Sequence, residues 1–164
     1  MEPSVRLFNL PALLQRPPDG IALLRGRQTR PSILGRVRFW QTEYGVLVMA
    51  EVTGLQDERK PCNAPVFGFH IHSGSSCTGS EKDPFSDALT HYDPHGCPHP
   101  YHSGDLPPLF AAHGRAVSAV LTDRFTVDEV IGKTMIVHEH PDDFTTQPSG
   151  NAGEKIACGV IRKA

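Results

Sequence analysis

The 164 residues carry 16 lysines and arginines against 18 aspartates and glutamates, for a formal charge of −2, and no basic stripe, which excludes nucleic acid as a partner. No stretch approaches the length and apolarity of a bilayer span, so no membrane partner is expected. Glycine and proline at 15 each, with 38% hydrophobic residues, point to one all-β domain of short strands and many turns.

Residues 1–30 hold Pro3, Pro11, Pro17 and Pro18 and several arginines without periodicity, and read as an N-terminal extension laid over a domain of residues 31–164. Pro11, Gln15 and Arg16 break the apolar run that begins at Leu10, so this segment does not read as a secretory leader. The location expected is cytoplasmic, or periplasmic or extracellular if a leader has been removed. Ile33, Val37 and Phe39 alternate with Arg36 and Arg38 and predict a strand, and residues 46–52, apolar on both faces, predict its hairpin partner.

After a polar loop at 56–60 comes the strand at 66–72. Side chains alternate along a strand, so Phe67, Phe69 and Ile71 fill a core while His70 and His72 stand together on the other face. Residues 73–101 then form a long segment dense in Gly, Ser, Pro, Asp and His. A loop of this length is functional or disordered, and a metal would order it. Strands are predicted again at 114–121, 134–138 and 156–161, with a short helical turn at 126–131.

The histidines carry the chemistry. Of the nine in the chain, His70 and His72 share a strand face, His91, His95, His99 and His102 crowd one loop with Asp105, and His138 follows the apolar run Met135, Ile136, Val137. Paired imidazoles on a rigid strand form half of a site for a metal that prefers nitrogen, and the supply of ligands predicts two transition metals. His113 and His140 read as surface residues, and His95 as facing water or competing with His99 for a metal. Cys62, Cys77, Cys97 and Cys158 include no CxxC pair and read as disulfides or free thiols.

GFHIH at 68–72, HYDP from His91, HSGD from His102 to Asp105, VHEHPDD at 137–143 and GNAGEKIACGVI at 150–161, in this order, resemble the copper/zinc superoxide dismutases over roughly residues 33–161. The resemblance implies an eight-stranded Greek-key β-barrel or flattened immunoglobulin-like sandwich with long metal-binding loops. It implies copper on His70, His72, His91 and His138, and zinc on His91, His99, His102 and Asp105. His91 would be the shared bridge and a proton store. The substrate implied is superoxide, converted to oxygen and hydrogen peroxide.

The resemblance also implies that Asp142 accepts hydrogen bonds from His70 and His99, and that Cys77 pairs with Cys158, leaving Cys62 and Cys97 as a second pair. Three features depart from the family pattern. Lys155 stands where an anion-docking arginine is usual, and it exchanges a planar fork for a point charge. The stretch between His99 and His102 is much shorter than in the usual zinc loop. Only residues 144–149 separate the PDD and GNAG motifs, so guidance of the anion should be weaker. The competing reading is a non-enzymatic protein of the same fold that holds zinc structurally and sequesters or transfers copper. The oligomeric state, a homodimer included, is left open.

Overall fold

The computed structural model describes residues 9–57 and 65–164. Eight strands carry the fold: β1 Gly20–Gly26, β2 Leu34–Thr42, β3 Gly45–Thr53, β4 Val66–His72, β5 Asp105–Ala112, β6 Arg115–Thr122, β7 Thr134–His138 and β8 Lys155–Lys163. They pair antiparallel and close into a barrel in the order β1-β2-β3-β6-β5-β4-β7-β8, so that among the described residues no edge strand is left unpaired. Two connections between non-neighbours, β3 to β4 and β6 to β7, give the Greek-key path. Period-two alternation sorts the side chains: Val37 and Phe39 point into the core with Val48, Ala50, Phe67, Phe69, Ile71, Met135 and Val137. On the outer face Arg36 and Arg38 both donate to the Glu51 carboxylate at 2.9 Å.

The barrel does not begin at residue 31. Gly20–Gly26, inside the stretch read as an extension, runs between β2, from Gly20↔Phe39 to Arg25↔Leu34, and β8, and so closes the barrel. Ala22 and Leu24 point inward and are fully buried, whereas Leu23 is 62% exposed. Two inward residues in a proline- and arginine-rich context give a faint alternation. Among the described residues, those at 9–19 lie over the barrel: the helix α1 Leu10–Gln15, capped by the Asn9 side chain, leads to Arg16, whose carbonyl accepts from the buried Trp40 Nε1 at 3.2 Å.

The sequence reading also passed over β5, because Pro107 and Pro108 offer no N–H to a ladder. The structure absorbs them in a bulge. Pairing goes from Phe67↔Leu109 to Phe69↔Leu106, so the prolines lie opposite Gly68, and Gly68 N–H donates instead to the His140 carbonyl at 2.8 Å. A Cβ at Gly68 would stand 2.9 Å from the Ala152 Cβ and 3.2 Å from the His138 Cβ, so glycine here lets the strand carrying His70 approach the one carrying His138. The helical turn expected at 126–131 is α2 Val127–Val130, closed by the Glu129 carboxylate accepting from Thr126 N–H and Oγ1.

Outside the barrel a small second core of Phe85, Ala88, Ile136 and Cys158 is joined by Cys77, which is disulfide-bonded to Cys158. It fastens the long loop after β4 to β7 and β8. Cys97 is half-buried, and the other half of the expected second pair, Cys62, lies outside the described residues.

Candidate metal centre

His70 and His72 leave β4 on its outer face, and His138 ends β7, two strands paired with one another. His91 arrives from the long loop, where it makes an isolated bridge to His72, and Tyr92 N–H donates to the Ile71 carbonyl at 2.8 Å. One ligand atom from each of His70, His72, His91 and His138 lies within 4.8 Å of the others, and all four residues are buried. Their free atoms follow from their hydrogen bonds. His72 Nδ1 donates to Leu89 O at 2.8 Å and His138 Nδ1 to Gly153 O at 3.1 Å, which leaves both Nε2 lone pairs facing inward 3.1 Å apart. Two lone pairs in contact repel, and a shared cation relieves them. His70 Nδ1 and His91 Nε2 are buried with no hydrogen-bond partner.

The second cluster is His91, His99, His102 and Asp105, also buried and within 4.8 Å. Asp105 opens β5 opposite His70. His91 Nδ1 donates to Asp105 Oδ1 at 2.7 Å, and the Nδ1 atoms of His99 and His102 lie 3.0 and 3.2 Å from Oδ2 without the alignment of a hydrogen bond. Three imidazole nitrogens and one carboxylate are the donor set of a closed tetrahedral zinc site. His91 serves both clusters, one through each ring nitrogen. His95 is exposed and outside both, as are His113 and His140.

Asp142 joins the two clusters from behind. Its Oδ2 accepts from His70 Nε2 at 2.7 Å and its Oδ1 from His99 Nε2 at 2.8 Å, which turns both Nδ1 atoms toward their clusters. Burial, followed by the neighbouring imidazoles, lowers His72 well below its ordinary pKa and His138 to about 3. Burial lowers His70 too, although Asp142 opposes it. These rings are therefore neutral near pH 7, the form that ligates metal. Burial works against ionising Asp105 and Asp142. Hydrogen bonds from His91 to the first, and from His70, Phe144 N–H and His99 to the second, outweigh it and hold both below the usual carboxylate range.

A cleft of about 490 Å³ leads to His72, His91 and His138 past Leu89 and Pro84, with Arg27, Lys82, Asp83, Glu154 and Lys155 also in its wall. Lys155 is only 16% exposed, and its Nζ lies 2.6 Å from Asp83 Oδ2. Arg27 is paired with Glu154. Lys82 has no acidic partner among the described residues. Reading the chain alone did not single out Asp83, because nothing in a residue 72 positions away marks it as the partner of Lys155.

Two metal sites sharing one imidazole, held on the outside of a closed Greek-key barrel, define a binuclear metalloprotein of the β-barrel class. The profile of the copper/zinc superoxide dismutases matches residues 33–161. Similar chains include the copper/zinc superoxide dismutase of Photobacterium leiognathi, 36% identical over 143 residues and 79% of each chain, and one from Legionella pneumophila, 32% identical over 81% of this chain and 80% of the other. A third, from Aquifex aeolicus, is 31% identical over 82% of each. This chain belongs to the copper/zinc superoxide dismutase family, and its two clusters are the copper and zinc sites.

Proposed function

We propose that this enzyme converts superoxide to oxygen and hydrogen peroxide at the His70, His72, His91, His138 cluster, with Lys155 collecting the anion at the cleft. The observation that carries the reading is the convergence of four imidazole nitrogens, free of protein partners once tautomers are assigned, at the end of an open cleft. When bound, copper supplies a one-electron store, so that one superoxide is oxidised to oxygen and a second, with two protons, is reduced to hydrogen peroxide. The remaining work belongs to the chain. Leu89 and Gly153 carbonyls and the Asp142 carboxylate fix the ring tautomers, and the His91 Nε2 atom is placed to hold a proton at the buried end of the cleft.

After loading with both metals, the chain is expected to retain one copper and one zinc and to consume superoxide. Zinc retention without copper retention or superoxide consumption would establish the non-enzymatic alternative instead.

Lys155 is supported as the collecting cation by its place in the cleft wall and by its near-complete enclosure, which fixes the charge in space. Lys155→Ala should lower kcat/KM about 3- to 10-fold at low ionic strength and flatten the dependence of rate on salt. Unchanged rate together with unchanged salt response removes Lys155 from the mechanism. Asp83 offsets that charge by standing against it. Asp83→Asn should therefore raise kcat/KM roughly 2-fold at low salt and steepen its decline as salt is added, an effect absent from Asp83→Glu.

A further inference from the structure

The zinc cluster is gripped by two side chains that touch none of its ligand atoms. Gln147 lies on the opposite loop and pairs with the backbone of His99 in both directions: its Oε1 accepts from His99 N–H at 2.9 Å, and its Nε2 donates to His99 O at 2.7 Å. Arg124, in the connection from β6 to α2, points Nη1 at three carbonyls of the same segment, those of Pro100 at 3.1 Å and of His102 and Asp105 at 3.3 Å. His99, His102 and Asp105 are zinc-cluster residues, so the two side chains act on the peptide planes from which those ligands project.

The Gln147 loop is itself prefixed. The Asp143 carboxylate accepts from Thr145 N–H at 2.9 Å and from Thr146 N–H at 2.8 Å, Asp143 N–H donates to Gly150 O at 2.9 Å, and Gly150 N–H donates to Thr146 O at 2.7 Å. Residues 144–149, too short to form a long guiding loop, are shaped into a turn that presents one amide to the zinc segment. Arg124 holds the same segment through three of its carbonyls. Several backbone groups of residues 99–105 thus find their partners in side chains of the protein.

We infer that Gln147 and Arg124 are positioning residues for zinc, a clamp that orders residues 99–105 before the ion binds. The inference rests on the zinc reading of the His91, His99, His102, Asp105 cluster. The experiment starts from the metal-loaded protein, strips it, and measures zinc affinity by competition with a chromophoric chelator, alongside amide hydrogen exchange of the stripped chain.

Gln147→Ala and Arg124→Ala are each expected to weaken zinc binding about 10-fold or more and to speed exchange in residues 99–105, with copper affinity reduced less. Gln147→Glu, which keeps the acceptor for His99 N–H but cannot donate to His99 O, should fall between. Wild-type protein that takes up no zinc would defeat the zinc reading itself. Wild-type binding with unaltered affinity in both alanine variants would defeat the clamp alone, as would equal losses of copper and zinc accompanied by faster exchange throughout the barrel.

Discussion

Asp142→Ala will weaken both metals at once, although Asp142 belongs to neither cluster. Its side chain is wholly buried, and each oxygen takes the N–H of a different ligand ring, His70 for copper and His99 for zinc. Without it both Nε2 atoms lose their acceptor inside the protein, at roughly 1–3 kcal/mol each, and nothing then favours the tautomer that presents Nδ1 to the metal. Residues supporting metal ligands in this way typically change affinity 10- to 100-fold, so a loss on that order is expected at each site.

Asp142→Asn sharpens the test, because an amide offers an acceptor to one ring and an N–H₂ to the other, and so should spare one metal more than the other. Gly150→Ala approaches the same carboxylate from outside. Gly150 has φ +69°, and a Cβ there would lie 2.0 Å from Asp142 Oδ1 and 2.7 Å from His99 Nε2, so it must displace the bridge. Copper and zinc contents after dialysis against a chelator measure all three. Full retention of both metals in Asp142→Ala would show that the rings keep their orientation by packing alone.

The bridging carboxylate shows what could be read from the chain alone. Its role came from the resemblance around VHEHPDD, and no spacing rule would separate Asp142 from Asp143, which the fold turns outward to staple Thr145 and Thr146. The histidine strand was legible from residues alone, because alternation on β4 is a local property and all of Phe67, Phe69 and Ile71 reach the core. His99 was separable from His95 only through the resemblance, because both lie in one loop, and it is the chain's path that buries the first and exposes the second. β5 stayed hidden because its prolines contradict strand propensity and are tolerated only through a bulge opposite Gly68 on another strand. β1 stayed hidden because its partners, β2 and the C-terminal β8, complete the pattern only in three dimensions. Asp83, Gln147 and Arg124 act through single side chains on groups far away in sequence, and pairings of that kind leave no periodic trace.

The same burial that readies the rings for metal makes the metal-free chain acid-sensitive. In the unfolded chain a histidine titrates near 6.5, whereas in the fold His70 and His72 titrate lower and His138 at about 3. From pH 6.5 down to each ring's own folded value, about 3 for His138, the unfolded state therefore binds more protons, and each such histidine removes up to about 1.4 kcal/mol of stability per pH unit. The contribution is complete above 6.5, declines as pH falls toward the folded value, and has no further slope below it. For His138, whose folded value is about 3, the loss is on the order of a few kcal/mol, a large fraction of a typical domain's stability. Asp105 and Asp142, whose pKa values are lowered on folding, add a separate loss only as pH drops below about 3.8. Bound metal opposes the first loss because it competes with protons for the same nitrogens. Metal-free protein should thus unfold in acid with a transition beginning between about pH 6 and 5, while the copper- and zinc-loaded protein holds to lower pH. Denaturant titrations followed by circular dichroism at several pH values give the slope directly. His138→Gln removes one titrating ring and should make the metal-free slope shallower by about 1.4 kcal/mol per pH unit; a metal-free wild type equally stable at pH 7 and pH 4 would mean that water reaches these rings and burial does not hold them neutral.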